Sequence, residues 1–213
     1  AINTTMKNIK VSNSTIKGSI KTGSIAGKIE QNSIINDSTS DSTTDGGEKV
    51  GGLVGAMENS EIIGSSFLSD VIASDIQAGG LVGDMLNGKI ENSKFKGTVK
   101  SADGQVGGIV GKIKNNAEIN SCRSDGKIRG KQMVGGIAGN VENQVQIKNS
   151  VVNKVVVKGS ALIGGVAGNL NLSKIIDTTF DGKVIGKGST IGGIAGKVQN
   201  NSEIEGATSL FEV

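Results

Sequence analysis

The 213-residue sequence contains no proline, histidine, tryptophan or tyrosine, only four phenylalanines, and a single cysteine, Cys122. Without histidine the chain supplies neither the His-Glu-x-x-His ligands of a zinc protease nor the base of a Ser-His-Asp or Cys-His site. Without tryptophan or tyrosine it has few rings on which bases or sugars can stack. One cysteine forms no internal disulfide, and Cys122 is best interpreted as a small apolar core residue.

The distribution of charge and the length of the apolar runs argue against two further classes of protein, nucleic-acid-binding proteins and membrane-spanning proteins. The 23 basic and 20 acidic residues give a formal net charge of +3 and are interspersed along the chain. We therefore expect no basic stripe and no binding to nucleic acid. No apolar run reaches the roughly 18 residues that span a bilayer, so we expect no membrane span. Hydrophobic residues make up 35% and recur at regular intervals, which predicts a folded chain.

Glycine, by contrast, is abundant: 34 residues, concentrated in one repeated phrase. The phrase first reads VGGLVG, at Val50–Gly55. It returns at Ala78–Gly83, Val106–Gly111, Val134–Gly139, Ile163–Gly168 and Ile191–Gly196. Successive copies lie 28 or 29 residues apart, and a degenerate copy at Thr22–Gly27 precedes the first. Such regularity identifies an internal repeat, which determines how the rest of the chain is interpreted.

Alignment of the copies produces three further columns. An apolar column contains Ile29, Met57, Met85, Ile113, Val141, Leu170 and Val198. An amide column contains Gln31, Asn59, Asn87, Asn115, Asn143 and Asn200, with Asn171 displaced one place early. An isoleucine column contains Ile34, Ile62, Ile90, Ile119, Ile147, Ile175 and Ile204. A cluster of Ser, Thr and Asn and then a short β-prone stretch complete each repeat.

The phrase itself is ambiguous between helix and strand. Apolar residues at Val50, Leu53, Val54 and Met57 have helical spacing. However, three glycines in each helix would cost about 1 kcal/mol apiece. The remaining runs of Val, Ile and Thr favour strands, and about 28 residues suit one coil of three short strands and three bends. We predict an all-β fold, a right-handed parallel β-helix (β-solenoid) of about seven coils of about 28 residues, with the hand taken from the crossover preference.

Stacking assigns a role to each column. Equivalent residues of successive coils should lie one strand spacing apart, about 4.8 Å. The apolar columns then fill the interior, and the amide column forms a side-chain ladder at a bend. The glycines should form a corner and a narrow waist, where the opposite wall comes too close for a Cβ.

The whole chain, 1–213, is predicted to form a single β-solenoid domain. Residues 1–22 form the tail of a preceding coil, since Ile16–Ser24 overlays Val157–Gly165, and residues 23–213 form seven repeats. No capping segment is recognisable, so we expect the chain to be a piece of a larger protein. The tract Asn36–Lys49 replaces a strand with polar residues. It predicts a polar, mobile side of the first coil, with a glycan- or ion-binding loop as the alternative.

The stretch GGLVGDMLNGKIENSKFKGTV, Gly79–Val99, resembles the GLUG motif, and the resemblance extends over roughly residues 16 to 213. These repeats are familiar from the N-terminal regions of streptococcal IgA-specific zinc metalloendopeptidases and from other bacterial surface and adhesin-like proteins. The resemblance implies a secreted or cell-wall-attached bacterial protein. Its implied partners are host immunoglobulin or another host surface protein or glycan, together with flanking domains of the parent protein.

We therefore predict a non-catalytic structural or binding module that positions an enzyme or its substrate, with no catalytic residue, metal or cofactor in this chain. Two alternatives remain open. One is an adhesin stalk that binds host protein or glycan. The other is a carbohydrate-active β-helix, because Glu30 and Glu58 share a column and would lie about 5 Å apart, like the carboxylates of a retaining glycosidase. The simpler interpretation of that pair is a solvated bend, with Lys28 and Lys89 nearby to relieve repulsion.

Overall fold

The computed structural model describes residues 1–188 and 190–210, and in that part of the chain all regular structure is β. Parallel strands form four sheets that run along a rod, so the predicted β-solenoid of about seven coils is confirmed. Each coil visits four sheets, not the three predicted, because the residues before the glycine pair form a separate short strand. No helix capable of crossing a membrane occurs among the described residues. The right hand of the coil stays a prediction.

We number the sheets in the order in which one coil visits them, starting with the strand that ends at the first glycine of each phrase. Sheet 1 comprises Ile20–Thr22, Glu48–Gly51, Gln77–Gly79, Gln105–Gly107, Met133–Gly135, Leu162–Gly164 and Thr190–Gly192. Sheet 2 comprises Ala26–Ile29, Val54–Glu58, Val82–Leu86, Val110–Lys114, Ala138–Glu142, Ala167–Asn171 and Ala195–Gln199.

Sheet 3 comprises Thr5–Lys7, Ile34–Asn36, Glu61–Ile63, Lys89–Glu91, Glu118–Asn120, Gln146–Lys148, Lys174–Ile176 and Glu203–Glu205. Sheet 4 begins with three interrupted strands, Lys10–Val11 with Thr15–Lys17, Thr39–Ser40 with Thr43–Gly46, and Ser66–Phe67 with Val71–Ala73. It continues with Lys94–Ser101, Arg123–Arg129, Val151–Gly159, Thr179–Gly186 and Thr208–Leu210.

The register confirms that sequence columns become physical rows. Met57 pairs with Ile29 on one side and with Met85 on the other, and the apolar column continues in this way to Val198. The isoleucine column needs one correction, because Ile62 pairs with Ile35 and not with Ile34. The turn before this strand is one residue longer in the first coil, so Ile35 points into the core and Ile34 faces outward.

The interior is thin and apolar. Val50, Leu53, Met57 and their equivalents as far as Leu170 are fully or almost fully buried, whereas Ile191 and Val198 in the last coil are exposed. In sheet 4 the rings of Phe67 and Phe95 stack with their centroids 6.4 Å apart. Full burial of each such side chain stabilises the fold by about 1.5 to 3 kcal/mol relative to exposure.

The predicted corner and waist are present. Both the corner and the waist can be seen in the phrase Val106–Gly111. A Cβ on Gly108 would collide with the backbone carbonyl oxygen of Gly136 in the next coil, which makes this the crowded corner. A Cβ on Gly111 would lie 2.8 Å from the amide nitrogen of Ala78, in sheet 1 of the preceding coil. Sheets 1 and 2 therefore pack at a distance that only hydrogen in place of a side chain permits.

The polar tract Asn36–Lys49 is built into the rod, which corrects the expectation of a polar, mobile side. Ser40 pairs with Phe67 and Thr44 pairs with Val71, so hydroxyl side chains occupy core positions of the first coil. Both residues are completely buried. The sequence looked like a loop because its inward and outward positions are equally polar, whereas pairing with the next coil determines its conformation.

Candidate functional site

The first candidate site, the carboxylate pair Glu30 and Glu58, lies at the end of sheet 2. Lys28 binds both carboxylates, through an ion pair with Glu30 and another, at 3.6 Å, with Glu58. The hydrogen bond from Lys28 is the main reason that the pKa of Glu30 lies below its usual value. A glycosidase acid needs a raised pKa. The geometry therefore favours a solvated, charge-balanced bend.

Lys89, expected beside this pair, lies elsewhere. Its Nζ is 3.0 Å from Glu91 Oε2 and 3.9 Å from Glu118 Oε1, on the outer face of sheet 3. Of the two lysines predicted to offset the repulsion between Glu30 and Glu58, only Lys28 lies close enough to do so.

Cys122 occupies the turn between sheets 3 and 4 and is 2% exposed. Its amide donates to Ser150 Oγ at 3.2 Å, and its thiol donates to the carbonyl oxygen of Asn120 at 3.3 Å. Burial raises the pKa of the thiol to about 12, so it carries no thiolate at neutral pH. Cys122 is thus a packed core residue, as predicted. Among the described residues, no group of three His, Cys, Asp or Glu side chains is arranged to hold a metal.

The second candidate site is the edge where sheet 2 turns into sheet 3. Turns of two residues have one residue with positive φ, and turns of three residues have two. Those residues are Asn59, Asn87 and Leu172 in the short turns, and Gln31 with Asn32, Asn115 with Asn116, Asn143 with Gln144, and Asn200 with Asn201 in the long turns. The predicted amide ladder forms in pairs, since Asn87 donates to Asn59 at 2.5 Å and Asn143 donates to Asn115 at 3.1 Å. Leu172 occupies the ladder position because Asn171 still belongs to the strand.

Alternation of turn lengths shapes the edge. The short turns at Asn59 and Asn87 are recessed between the longer turns that hold Asn32 and Asn116. They form an open groove of about 450 Å³. The amides in this groove bond to one another, so the groove is explained by the architecture.

Sheet 3 carries charges of alternating sign on its outer face. Glu61 pairs in register with Lys89, and Lys89 pairs with Glu118. Lys148 extends the pattern with an ion pair to Glu118 at 3.1 Å. Every neighbour in this ladder has a partner of opposite charge, an arrangement that stabilises adjacent strands.

The third candidate site lies on the outer face of sheet 4, where the charge has one sign. Lys100 pairs in register with Arg129, and Arg129 pairs with Lys158. Lys187 lines the same groove beyond Ile185, the register partner of Lys158. We call Lys100, Arg129, Lys158 and Lys187 the basic row. All four are exposed, and none forms an ion pair with a described acidic side chain.

Our expectation that the chain has no basic stripe is therefore wrong, because the folded surface carries one on sheet 4. The sequence does contain a signal for the basic row, because its four residues recur every 29 residues. Composition and local charge mixing conceal it, since acidic residues lie between the cations in sequence and elsewhere on the rod in space. Residues 29 positions apart in the sequence become neighbours on the surface only because one coil contains about that many residues.

Comparison of the chain with known family models, curated proteins and solved structures finds no match. The resemblance to GLUG repeats accordingly rests on the repeated glycine phrase and the columns that accompany it.

Proposed function

We propose that this chain is a non-catalytic rod that serves as a stiff spacer and binding module of a secreted or cell-wall-attached bacterial protein. The observation that carries the proposal is the continuity of the four parallel sheets from the first coil to the last. The resemblance to GLUG repeats supports the bacterial surface setting. In an IgA-specific metalloprotease such a rod would position the catalytic domain or hold the immunoglobulin substrate.

Stiffness follows from the hydrogen bonds between coils. Leu53 donates its amide to Leu81, Leu81 to Ile109, and Ile109 to Ile137, at 2.9 to 3.0 Å. This chain of bonds runs along the rod axis and is repeated in all four sheets. Bending the rod would stretch such bonds at buried positions, where an unmade hydrogen bond costs about 1 to 3 kcal/mol.

The length of the rod provides the test. Lys10 and Thr208 lie at the two ends of one column of sheet 4, separated by seven strand spacings. In a Cys122→Ser background, spin labels on cysteines at these positions should give a narrow distance distribution near 34 Å, from about 4.8 Å per coil. Deletion of residues 79–106, one whole repeat, should shorten the distance by about 5 Å.

A matched control deletes residues 93–106, half a repeat, which breaks the register and should prevent folding. A broad distance distribution in the full-length chain, or no shortening after deletion of the whole repeat, would contradict the spacer role.

A second function, an adhesin stalk, is favoured by one specific observation. Such a stalk requires an exposed column of side chains that the fold itself does not need. The basic row meets that requirement, because its cations have no acidic partner among the described residues. Retention of a suitable ligand by the isolated chain, and loss of retention when the row is neutralised, would test this function.

A further inference from the structure

One lateral face of the rod concentrates positive charge. The four long strands of sheet 4, from Lys94–Ser101 to Thr179–Gly186, and the loop that follows the last of them carry nine cations that form no ion pair with a described acidic side chain. These are Lys94, Lys96, Lys100, Lys127, Arg129, Lys154, Lys158, Lys183 and Lys187. The acids on the same strands are Asp125, which Arg123 binds at 2.7 Å, and Asp181.

Sheet 3 shows a different arrangement of charge, in which neighbouring coils carry opposite signs. On sheet 3 successive coils alternate Glu61, Lys89 and Glu118 in register. On sheet 4 successive coils place Lys100 opposite Arg129, and Arg129 opposite Lys158. Like charges directly opposite on adjacent strands destabilise a sheet. The basic row therefore lowers the stability of the free rod, and an anionic partner would remove that penalty.

We propose that the basic row is the binding site for a linear sulfated polysaccharide that lies along the rod axis. This role is additional to the spacer role and does not depend on it. Lys100, Arg129 and Lys158 present one cation per coil, at intervals of about 4.8 Å, and Lys187 follows in the next coil, two residues beyond the register position that Ile185 occupies. A linear polymer with closely repeated sulfate groups matches such a line of charges over several coils.

The groove beside the row suits an extended chain. It has a volume of about 430 Å³. Its lining comes from four successive coils, so it extends along the rod, and Gly130, Gly159 and Gly186 border it with backbone alone, because a Cβ on each would point inward toward the buried Val106, Val134 or Ile163. The exposed hydroxyl of Ser160 borders it and can bond to sugar hydroxyl groups, whereas the hydroxyl of Ser101 is buried and bonds to the backbone carbonyl oxygens of Asp75 and Asp103.

The chemistry of the face distinguishes a sulfated glycan from other polyanions. The described phenylalanines of sheet 4, including Phe67 and Phe95, are buried in the core, so the face offers no ring on which the bases of a single strand can stack. A flat sheet face does not enter a groove of duplex DNA as a helix or a two-stranded ribbon does. Arg129 in the middle of the row supplies a planar fork that binds two oxygens of one sulfate group.

Binding would be measured with the full chain at low salt by calorimetry or fluorescence polarisation. The probes are heparin as the sulfated glycan, hyaluronan as an unsulfated carboxylate glycan, and a mixed-sequence single-stranded DNA of matched charge. We expect heparin to bind more tightly than either other probe. Its affinity should fall steeply as salt rises, because each ionic contact releases counterions.

The decisive variant is Lys100→Gln/Arg129→Gln/Lys158→Gln. It should weaken heparin binding by about tenfold or more, because three exposed ionic contacts are lost together. It should also reduce the slope of log K against log salt by about two to three. The matched control is Lys7→Gln/Lys21→Gln/Lys197→Gln, which removes the same charge from exposed lysines on sheets 3, 1 and 2.

Circular dichroism and denaturation midpoints establish that both variants are folded, and relief of repulsion should leave the row variant at least as stable as the parent chain. Three results would overturn the proposal. These are no heparin binding at low salt, equal weakening by the two triple variants, and tighter binding of the DNA than of heparin, which would instead make the face a nucleic-acid surface.

Discussion

The amide of Cys122 donates a hydrogen bond to the hydroxyl oxygen of Ser150, 3.2 Å away in the next coil. The same bond joins Ser38 to Ser65 and Ser65 to Ser93, at 3.1 Å each. Cys122 thus replaces serine in a buried column. Each serine hydroxyl in this column accepts a hydrogen bond from a backbone amide of the preceding coil and donates one to a carbonyl oxygen two residues earlier in its own coil. The thiol keeps the shape of the column and weakens its hydrogen bonds, since sulfur is a poor donor and acceptor.

Cys122→Ser should therefore fold normally, with a change in unfolding free energy within about 1 kcal/mol at pH 7. The difference between the two proteins should grow in alkali. Burial raises the thiol pKa from 9.0 to about 12, so thiolate forms first in the unfolded chain. Its stabilising contribution is complete below pH 9 and is lost as pH rises toward 12, by about 1.4 kcal/mol per pH unit.

Urea denaturation of the parent and of Cys122→Ser between pH 7 and 11 checks this prediction, because lysine titration is common to both proteins. Parallel pH profiles would show that the thiol titrates normally and is not buried as described.

Gly108→Val should destabilise the rod by about 4 kcal/mol or more, because the added Cβ meets the fixed carbonyl oxygen of Gly136. Val106→Ala, two residues away and also in the core, should cost only about 2 to 3 kcal/mol for the lost methyl groups and the cavity. Gly108→Ala tests the Cβ alone and should fall nearer to the valine variant. Equal midpoints in chemical denaturation for Gly108→Val and Val106→Ala would refute the close approach at the corner.

Leu172→Asn should stabilise the rod by about 1 kcal/mol. Leu172 has a φ of 48°, and its side chain is 41% exposed, so the strain of the left-handed backbone is not offset by burial. Asparagine tolerates this conformation and could join the amide ladder, as Asn87 does with Asn59. Leu172→Ala is the control, because it removes the exposed side chain and keeps the strained backbone. If the two variants have equal thermal midpoints, strain at this turn is not the cause.

Lys28→Met should raise the pKa of Glu30, because it removes the hydrogen bond that lowers it and leaves Glu58 as a like-charged neighbour. The contribution of Glu30 to stability is present above its ordinary pKa of 4.5 and declines as pH falls through the lower folded value. The variant should lack that contribution, because the pKa of Glu30 no longer lies below its ordinary value. A carbon-detected NMR titration of the carboxyl group measures the shift, and Lys96→Met, which touches no carboxylate pair, serves as control. An unchanged pKa would mean that Lys28 does not bridge the pair.

Much of the fold is predictable because the repeat is strict. A period of 28 or 29 residues with apolar residues in constant places has few solutions other than stacked coils. The close approaches of Gly108 and Gly111 follow from the same reasoning, since a backbone contact explains why both glycines occur in all six complete copies of the phrase. The amide ladder was predicted as well, although the positive φ of Asn59 and its equivalents was not, because backbone torsions leave no periodic signal of their own.

The sequence by itself determined the coil, its period and its apolar interior. In a solenoid, residues one period apart in the sequence lie directly above one another along the axis, so the periodic pattern gives the stacking directly. Only the tertiary structure decided the fourth strand of each coil, the burial of Ser40 and Thr44, and the separation of charge between sheets 3 and 4. These features depend on how the turns between strands rotate each segment and thus on which side of a strand faces the interior. A one-residue difference in a turn reverses that orientation, and its effect is visible only once neighbouring coils are in contact.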